Sequence, residues 1–158
     1  MVKDVIGRVV ENIVKAYESF KEITGSPIPE DVLRRVIDEV EHIAIHELAH
    51  GAIRAVYHEI DDIEERGHIL GECIDEILGR LLETYVSAKI SAHVHSFEEH
   101  VYELKNYTSL SKLDIKVEDL EELYRQVTKS LGRKELRNTI DIVAKKCEEW
   151  IKQTTSNP

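Results

Sequence analysis

Residues 43–53 read IAIHELAHGAI, and this segment decides how the rest of the chain is interpreted. Its residues suit a helix, on which His46 and His50 lie one turn apart on the same face. Glu47 is the only charged residue in the segment. Two histidines and a glutamate on a buried helix need polar partners, and a metal ion meets that need. The segment therefore predicts a buried, metal-binding helix.

Outside this segment, apolar residues recur at helical spacing along almost the whole chain. A break at residues 25–29, which contains two prolines, ends the first helix. Ser96 and Glu99 have the spacing of a capping box that opens a helix. The predicted helices cover residues 1–22, 29–60 (in one or two pieces), 69–92, 97 onward, 120–131 and 136–150. No stretch shows the period-two alternation of a strand, so the predicted fold is all-α.

The predicted architecture is a compact single-domain helical bundle. A chain of 158 residues is long enough to bury one core. Residues 1–153 are predicted to form one helical metal-binding domain, residues 61–67 a polar turn and residues 154–158 a frayed tail. In this bundle the helix that carries His46 and His50 packs on a glutamate-rich helix.

Composition narrows the class of function. The chain has 21 Lys and Arg against 31 Asp and Glu, a net charge of -10, which argues against nucleic acid as a partner. No apolar run is long enough to cross a membrane, and the charged start does not resemble a signal peptide. Two cysteines, Cys73 and Cys147, are too few for a disulfide framework and too far apart for a CxxC site. We therefore expect a cytoplasmic protein, and its abundant Glu, Lys, Arg, Ile and Val are typical of heat-stable proteins.

The spacing His46-Glu47-Leu48-Ala49-His50 is an HExxH motif. Both imidazoles can bind one zinc ion at about 2.0–2.1 Å. Glu47 lies about 100° further round the helix, so it does not bind the ion but can reach a water molecule on it. There it can act as general base. The motif thus predicts one zinc ion per chain and a hydrolytic reaction.

A catalytic zinc site needs a third protein ligand. The metzincin pattern is absent, because Val56 stands where its third histidine would be. His58 lies two turns beyond His50, too far along a straight helix. The third ligand should then come from the next helix, where three glutamates share one face and apolar residues fill the other. These glutamates are Glu72, Glu76 and Glu83.

An HExxH helix followed by a glutamate helix resembles the gluzincin group of zinc metallopeptidases. In that group the ligand glutamate is often followed, three residues on, by a small residue, and Glu76 with Gly79 matches this best. The resemblance covers about residues 43 to 83 and is closest to the minimal single-domain gluzincins of archaea. It implies a peptidase that acts on a peptide or protein, with zinc held by His46, His50 and Glu76, and Glu47 as the catalytic base.

The remaining histidines and the tyrosines have weaker assignments. His42 lies one turn before His46 and is expected to be a partly exposed helix residue, with contact to a metal ligand as the alternative. His93 or His95 could stabilise an oxyanion, but a solvated helix end explains them equally well. We expect surface positions for three others, His58, His68 and His100. Three tyrosines could donate to a substrate, and the sequence does not select among Tyr85, Tyr102 and Tyr107.

Two other classes of function compete with the hydrolase. Glu47-x-x-His50 also fits the ExxH element of carboxylate di-iron or manganese bundles, which bind metal without hydrolysis, and Glu39-x-x-His42 and Glu65-x-x-His68 repeat that spacing. A vestigial zincin would keep the ion without activity. The third class is an acidic helical adaptor with an accidental HExxH motif. In every class a homodimer is possible if the heptad-spaced apolar stripe of the last helix is exposed.

Overall fold

A computed structural model describes residues 2–60 and 68–156 of the protein, and these residues are almost entirely helical. Six α-helices lie within the described residues, and none of these residues forms a strand. They are α1 (Val2–Thr24), α2 (Glu30–Val56), α3 (Ile69–Lys89), α4 (Phe97–Leu104), α5 (Val117–Gly132) and α6 (Leu136–Ser156), with a 3-10 turn at Leu110–Lys112. The predicted all-α fold is confirmed.

The chain divides into two compact units, residues 1–40 and residues 41–158. The first unit contains α1, the break at residues 25–29 and the beginning of α2. Gly25 turns the chain with a φ of 68°, a left-handed conformation that glycine adopts without steric cost. Eight large apolar residues of α1 are exposed, and these are Val5, Ile6, Val9, Val10, Ile13, Val14, Phe20 and Ile23. The single domain predicted over residues 1–153 stays a prediction.

The core of the second unit is built around α3. This helix is buried along residues 73–84, because α5 and α6 cover its apolar side. The heptad-spaced residues of α6, from Ile140 to Trp150, are buried in this core. Since that stripe is not exposed, it gives no support to the predicted homodimer.

A disulfide joins Cys73 on α3 to Cys147 on α6, with the two Cα atoms 6.0 Å apart. Both cysteines are fully buried in the core. The sequence assigned these cysteines to no site, because 74 residues separate them. Packing of α3 on α6 brings them together, and the bond then ties these two helices to each other.

The helix boundaries agree with the sequence at some ends and differ at others. Ser96 and Glu99 form the predicted capping box at the start of α4. The second helix was predicted to end near residue 60 but ends at Val56. Arg137 donates a hydrogen bond of 3.1 Å to the carbonyl oxygen of Val56. Residues 154–156, expected in a frayed tail, continue α6 to Ser156. The predicted turn at residues 61–67 lies outside the described residues. No described helix combines the length and apolarity that a membrane span requires.

Candidate metal centre

The two histidines of the HExxH motif face each other on α2. Their Nε2 atoms lie 3.0 Å apart. His46 Nδ1 lies 2.8 Å from Oε1 of Glu83, and His50 Nδ1 lies 2.8 Å from Oδ1 of Asp75. Because an ionised carboxylate only accepts hydrogen bonds, each Nδ1 carries the proton and donates it. Two neutral imidazoles held in this way direct both Nε2 lone pairs at the same point, which is stable only if a proton or a metal ion lies between them.

The third predicted ligand is at the same point. Glu76 Oε1 lies 3.7 Å from His50 Nε2, and Glu76 Oε2 lies 4.0 Å from His46 Nε2. A tetrahedral zinc ion with bonds of about 2.0–2.1 Å keeps its ligand atoms about 3.3 Å apart. The structure therefore brings His46, His50 and Glu76 together with distances close to those that a zinc ion requires.

Neighbouring residues orient all three side chains. Histidine ligands of metals almost always donate their other ring N–H to a carboxylate or carbonyl, as His46 and His50 do here. Arg80, one turn after Glu76 on α3, donates a 2.6 Å hydrogen bond from Nη1 to Glu76 Oε2. Oε1 of Glu76 is therefore the oxygen that can bind a metal without competing with Arg80.

The charges at the centre favour a cation. Three carboxylates, Asp75, Glu76 and Glu83, are buried there, together with a single buried guanidinium, that of Arg80. Arg54 approaches Asp75 from the exposed side, with its Nη2 3.4 Å from Oδ2. When ionised, the four buried groups carry two net negative charges, and Arg54 offsets part of this excess from the exposed side. Buried charges that lack such compensation are costly.

Two pKa shifts reflect this surrounding charge. The hydrogen bond to Asp75 raises the pKa of His50; burial lowers it less, and the charges of Asp75, Glu76 and Glu47 add to the rise. Burial acts to raise the pKa of Glu83, but the hydrogen bond from His46 and the nearby histidine charges outweigh it, so this pKa is lowered. Glu83 therefore stays an ionised acceptor for His46.

Gly79 permits α3 to lie close to the histidines. A Cβ atom at this position would be 3.2 Å from Cε1 of His50 and 3.6 Å from both of its ring nitrogens. Such a contact is tighter than ordinary van der Waals packing, so the ring would have to move. The absence of a side chain at Gly79 is thus a condition for the present position of His50.

Glu47 is exposed and is not part of the cluster of possible ligands. Its charge is close enough to act on the pKa of His50. The prediction that Glu47 does not bind the ion agrees with this position, whereas a di-iron centre would need it as a ligand. Glu65, which has the ExxH spacing to His68, lies outside the described residues.

The other two glutamates of α3 have different partners. Glu72 accepts a hydrogen bond from the hydroxyl of Ser109 and is absent from the ligand cluster. Glu83 is buried and contacts the far nitrogen of His46. Among the three glutamates that the sequence left open, Glu76 is the one whose carboxylate faces both Nε2 atoms.

The uncharged residues beside the motif were expected to be buried, and this is wrong for most of them. On α2 between residues 43 and 53, burial is confined to Ala49, His50 and Ile53, whereas Ile43 and Leu48 are exposed. The helix packs by one narrow face, and the adjacent uncharged face lines an apolar groove of about 340 Å³ together with residues of α3. Most of the uncharged residues next to the motif are therefore outside the core, and several of them line the groove.

Three histidines that the sequence placed at the surface or at a helix end lie beside the centre. The side chain of His42 is only 11% exposed, and its Nδ1 lies 3.2 Å from Oε2 of Glu83. The His95 ring stacks on His42, with centroids 3.6 Å apart. The surface position predicted for His100 is wrong, because this residue is fully buried. Burial lowers the pKa of His100 to about 4, so the side chain is neutral.

An open pocket of about 300 Å³ gives access to the centre. It is lined by His46, Arg80, Glu103, Asn106 and Tyr107. The guanidinium carbon of Arg80 lies 5.7 Å from the centre of the Tyr107 ring. Burial, followed by the charge of Glu76, raises the pKa of Tyr107, which therefore keeps its hydroxyl proton. Of the three tyrosines left open by the sequence, Tyr107 is the one at the entrance.

Sequence reasoning missed Asp75, Arg80 and Glu103. Asp75 and Arg80 had a visible signal, because they are charged residues next to and one turn after Glu76 on a helix whose other side is apolar. Glu103 had none, since it reaches the site from α4, twenty residues after Glu83 in the sequence.

No known protein family, curated protein or solved structure matches the chain. The resemblance of residues 43–83 to gluzincins stays a prediction. What supports the metal centre is the arrangement of its own side chains.

Proposed function

We propose that the protein is a small zinc-dependent hydrolase of the metallopeptidase type. His46, His50 and Glu76 hold one zinc ion per chain. The observation that carries this proposal is the pair of Nε2 atoms 3.0 Å apart, each on an imidazole whose Nδ1 donates to a buried carboxylate. Two imidazoles and one carboxylate with an open fourth position form a ligand set of catalytic zinc.

Zinc, when bound, supplies a Lewis acid that polarises a carbonyl group and acidifies water. The carboxylate of Glu47, exposed beside His46, takes the proton of the attacking water and delivers it to the leaving amine. Asp75 and Glu83 hold the two imidazoles, and Arg80 holds Glu76, so that the ligands need no rearrangement.

Tyr107 binds the substrate at the entrance. It lines the open pocket next to His46. Its protonated hydroxyl is a hydrogen-bond donor, which suits the carbonyl oxygen of a peptide, while the buried guanidinium of Arg80 holds Glu76 and Glu103. A peptide or protein substrate is therefore part of the proposal.

The metal is tested first. Purified protein should contain at least one equivalent of zinc after dialysis against zinc, measured by inductively coupled plasma mass spectrometry. A separate zinc titration resolves the binding steps. His46→Ala and His50→Ala should each abolish the tightest step and lower the melting temperature of the zinc-loaded protein, because metal binding is linked to folding. His58→Ala, an exposed histidine beyond the same helix, is the control and should behave like the unaltered chain. Less than a tenth of an equivalent in the unaltered chain would refute the zinc centre.

Hydrolysis is tested with Glu47→Gln, which keeps the shape of the side chain and removes its basicity. The variant should keep its zinc and its fold and lose cleavage of a peptide library by about 10²–10⁴-fold. Glu41→Gln, another exposed glutamate of α2, is the matched control and should keep its activity. Loss of metal from Glu47→Gln would indicate a carboxylate-bridged centre. Zinc without cleavage in either form would show a vestigial or structural site, and the peptidase proposal would be abandoned.

The cytoplasmic location is likewise a proposal. Disulfides such as Cys73–Cys147 are rare in the cytosol of mesophiles but occur in intracellular proteins of hyperthermophiles. The location and the disulfide agree if the protein comes from a heat-adapted cell, as its composition predicts. A melting temperature above about 90 °C would support this combination, and one in the range of about 45–65 °C would contradict it.

A further inference from the structure

Glu83 connects the proposed zinc centre to a second group of side chains. Its Oε1 lies 2.8 Å from Nδ1 of His46, and its Oε2 lies 3.2 Å from Nδ1 of His42. The carboxylate thus holds His42 by the same ring nitrogen as it holds His46. The Nε2 atom of His42 is left to face away from Glu83.

Arg80 likewise contacts two side chains, the carboxylates of Glu76 and Glu103. Its Nη1 holds Oε2 of Glu76 at 2.6 Å, and its Nη2 lies 3.4 Å from Oε2 of Glu103. Oε1 of Glu103 remains, 3.9 Å from Nε2 of His42. Glu83 thus holds both His46 and His42, and Arg80 holds both Glu76 and Glu103. Nε2 of His42 faces the carboxylate of Glu103, as Nε2 of His46 faces that of Glu76.

His95 supplies the third group. Ligand atoms of His42, His95 and Glu103 all lie within 4.8 Å of one another. The Nδ1 atom of His95 is buried and lies 2.8 Å from Oε2 of Glu99, without the geometry of a hydrogen bond. A metal ion lies in the plane of the imidazole that binds it, so the His95 ring would have to turn out of its stack on His42. The bound ion would have to compensate for the ring stack and for the Glu99 contact that this turn gives up.

We propose that His42, His95 and Glu103 form a second binding site for a divalent transition-metal ion of the zinc type. Two imidazoles and one carboxylate, all half-buried, are a ligand set that zinc accepts. The two sites have no ligand in common, so the pair is not a bridged two-metal centre. Glu103 also lines the open pocket, which places the second ion at the entrance to the first. This inference uses none of the hydrolytic chemistry proposed above.

The test is the number of zinc ions bound per chain, measured by isothermal titration of zinc into metal-free protein. The full chain should bind two ions. His95→Ala and Glu103→Gln should each bind one, because either removes a ligand of the second site without touching Glu83. His93→Ala is the matched control, since His93 is an exposed histidine two residues before His95, and it should bind two. Circular dichroism of each variant checks that its helices are retained.

The two proposals fail in different ways. Loss of one ion in His95→Ala and of the other in His46→Ala supports both sites. If the full chain binds one ion, and His46→Ala abolishes it while His95→Ala does not, the second site is refuted and the zinc centre stands. If His95→Ala and Glu103→Gln abolish the single ion and His46→Ala keeps it, the second site stands and the proposed catalytic centre is refuted. If His95→Ala, Glu103→Gln and His93→Ala bind the same number of zinc ions per chain, the second site is refuted, whatever number the full chain binds.

Discussion

Replacement of Gly79 by alanine should stabilise the metal-free protein and weaken zinc binding at the same time. Gly79 lies inside α3, where alanine is favoured over glycine by about 1 kcal/mol. The added Cβ would stand 3.2 Å from Cε1 of His50, so the ring must retreat by a few tenths of an ångström. Ligand positions tolerate displacements of only about 0.5 Å, and disturbed support of a ligand typically costs about 10–100-fold in metal affinity.

Gly51→Ala is the control for Gly79→Ala. Gly51 is also helical and adjoins His50 in the sequence, but a Cβ there would meet nothing within 4 Å. Both variants gain helix propensity, and only Gly79→Ala crowds the imidazole. Urea unfolding of metal-free protein and zinc titration give the two quantities. We expect about tenfold weaker zinc binding in Gly79→Ala and unchanged binding in Gly51→Ala. Equal zinc affinities in the two variants would refute the close approach of α3 to His50 as the reason for glycine.

Three further predictions concern the third ligand, the disulfide and the buried histidine. Glu83→Gln should lower the zinc affinity by about 10–100-fold, and Glu76→Gln should lower it more. Glu72→Gln should bind zinc as the unaltered chain does, and a zinc titration that shows an equal loss in Glu72→Gln would contradict this order. Reduction of Cys73–Cys147 should lower the free energy of unfolding by about 4 kcal/mol, because the bond closes a long loop; a Cys73→Ser/Cys147→Ser protein should not respond to reductant, and an equal response would refute the bond. His100 has a pKa of about 4 in the folded protein and 6.5 in the unfolded chain. As the pH falls, the unfolded chain protonates this imidazole first, so the free energy of unfolding should fall by about 3 kcal/mol between pH 6.5 and pH 4. Denaturant unfolding across that range should show a smaller fall for His100→Gln than for the control His58→Gln, and parallel curves would contradict the assignment.

The parts of the site that sequence predicts best are those set by local geometry. His46 and His50 face the same way because residues four apart share a face of any helix. Gly79 was singled out only by the resemblance to gluzincins, in which a small residue follows the ligand glutamate. The choice of Glu76 came from a resemblance, and the carboxylate does face both Nε2 atoms, although its role as a ligand stays a prediction.

The errors arise where burial depends on distant segments. His100 has the sequence surroundings of a surface residue, yet α4 turns it against Thr84 and Glu83 of α3. The apolar stripes of α1 and α6 look alike in the sequence, but that of α6 is buried and that of α1 is exposed. Helical periodicity shows which face is apolar and carries no information on what covers that face.

The sequence by itself determined the helical class, the HExxH pair and the face of α3 that carries acidic residues, because each depends on spacing within one helix. The tertiary structure alone decided how these faces meet. It placed Asp75 and Glu83 on the Nδ1 atoms of the two histidines, brought Glu103 to Arg80, and joined Cys73 to Cys147. Such contacts link residues from about 20 to more than 70 positions apart, and their distances follow from how whole helices pack, which no local pattern encodes.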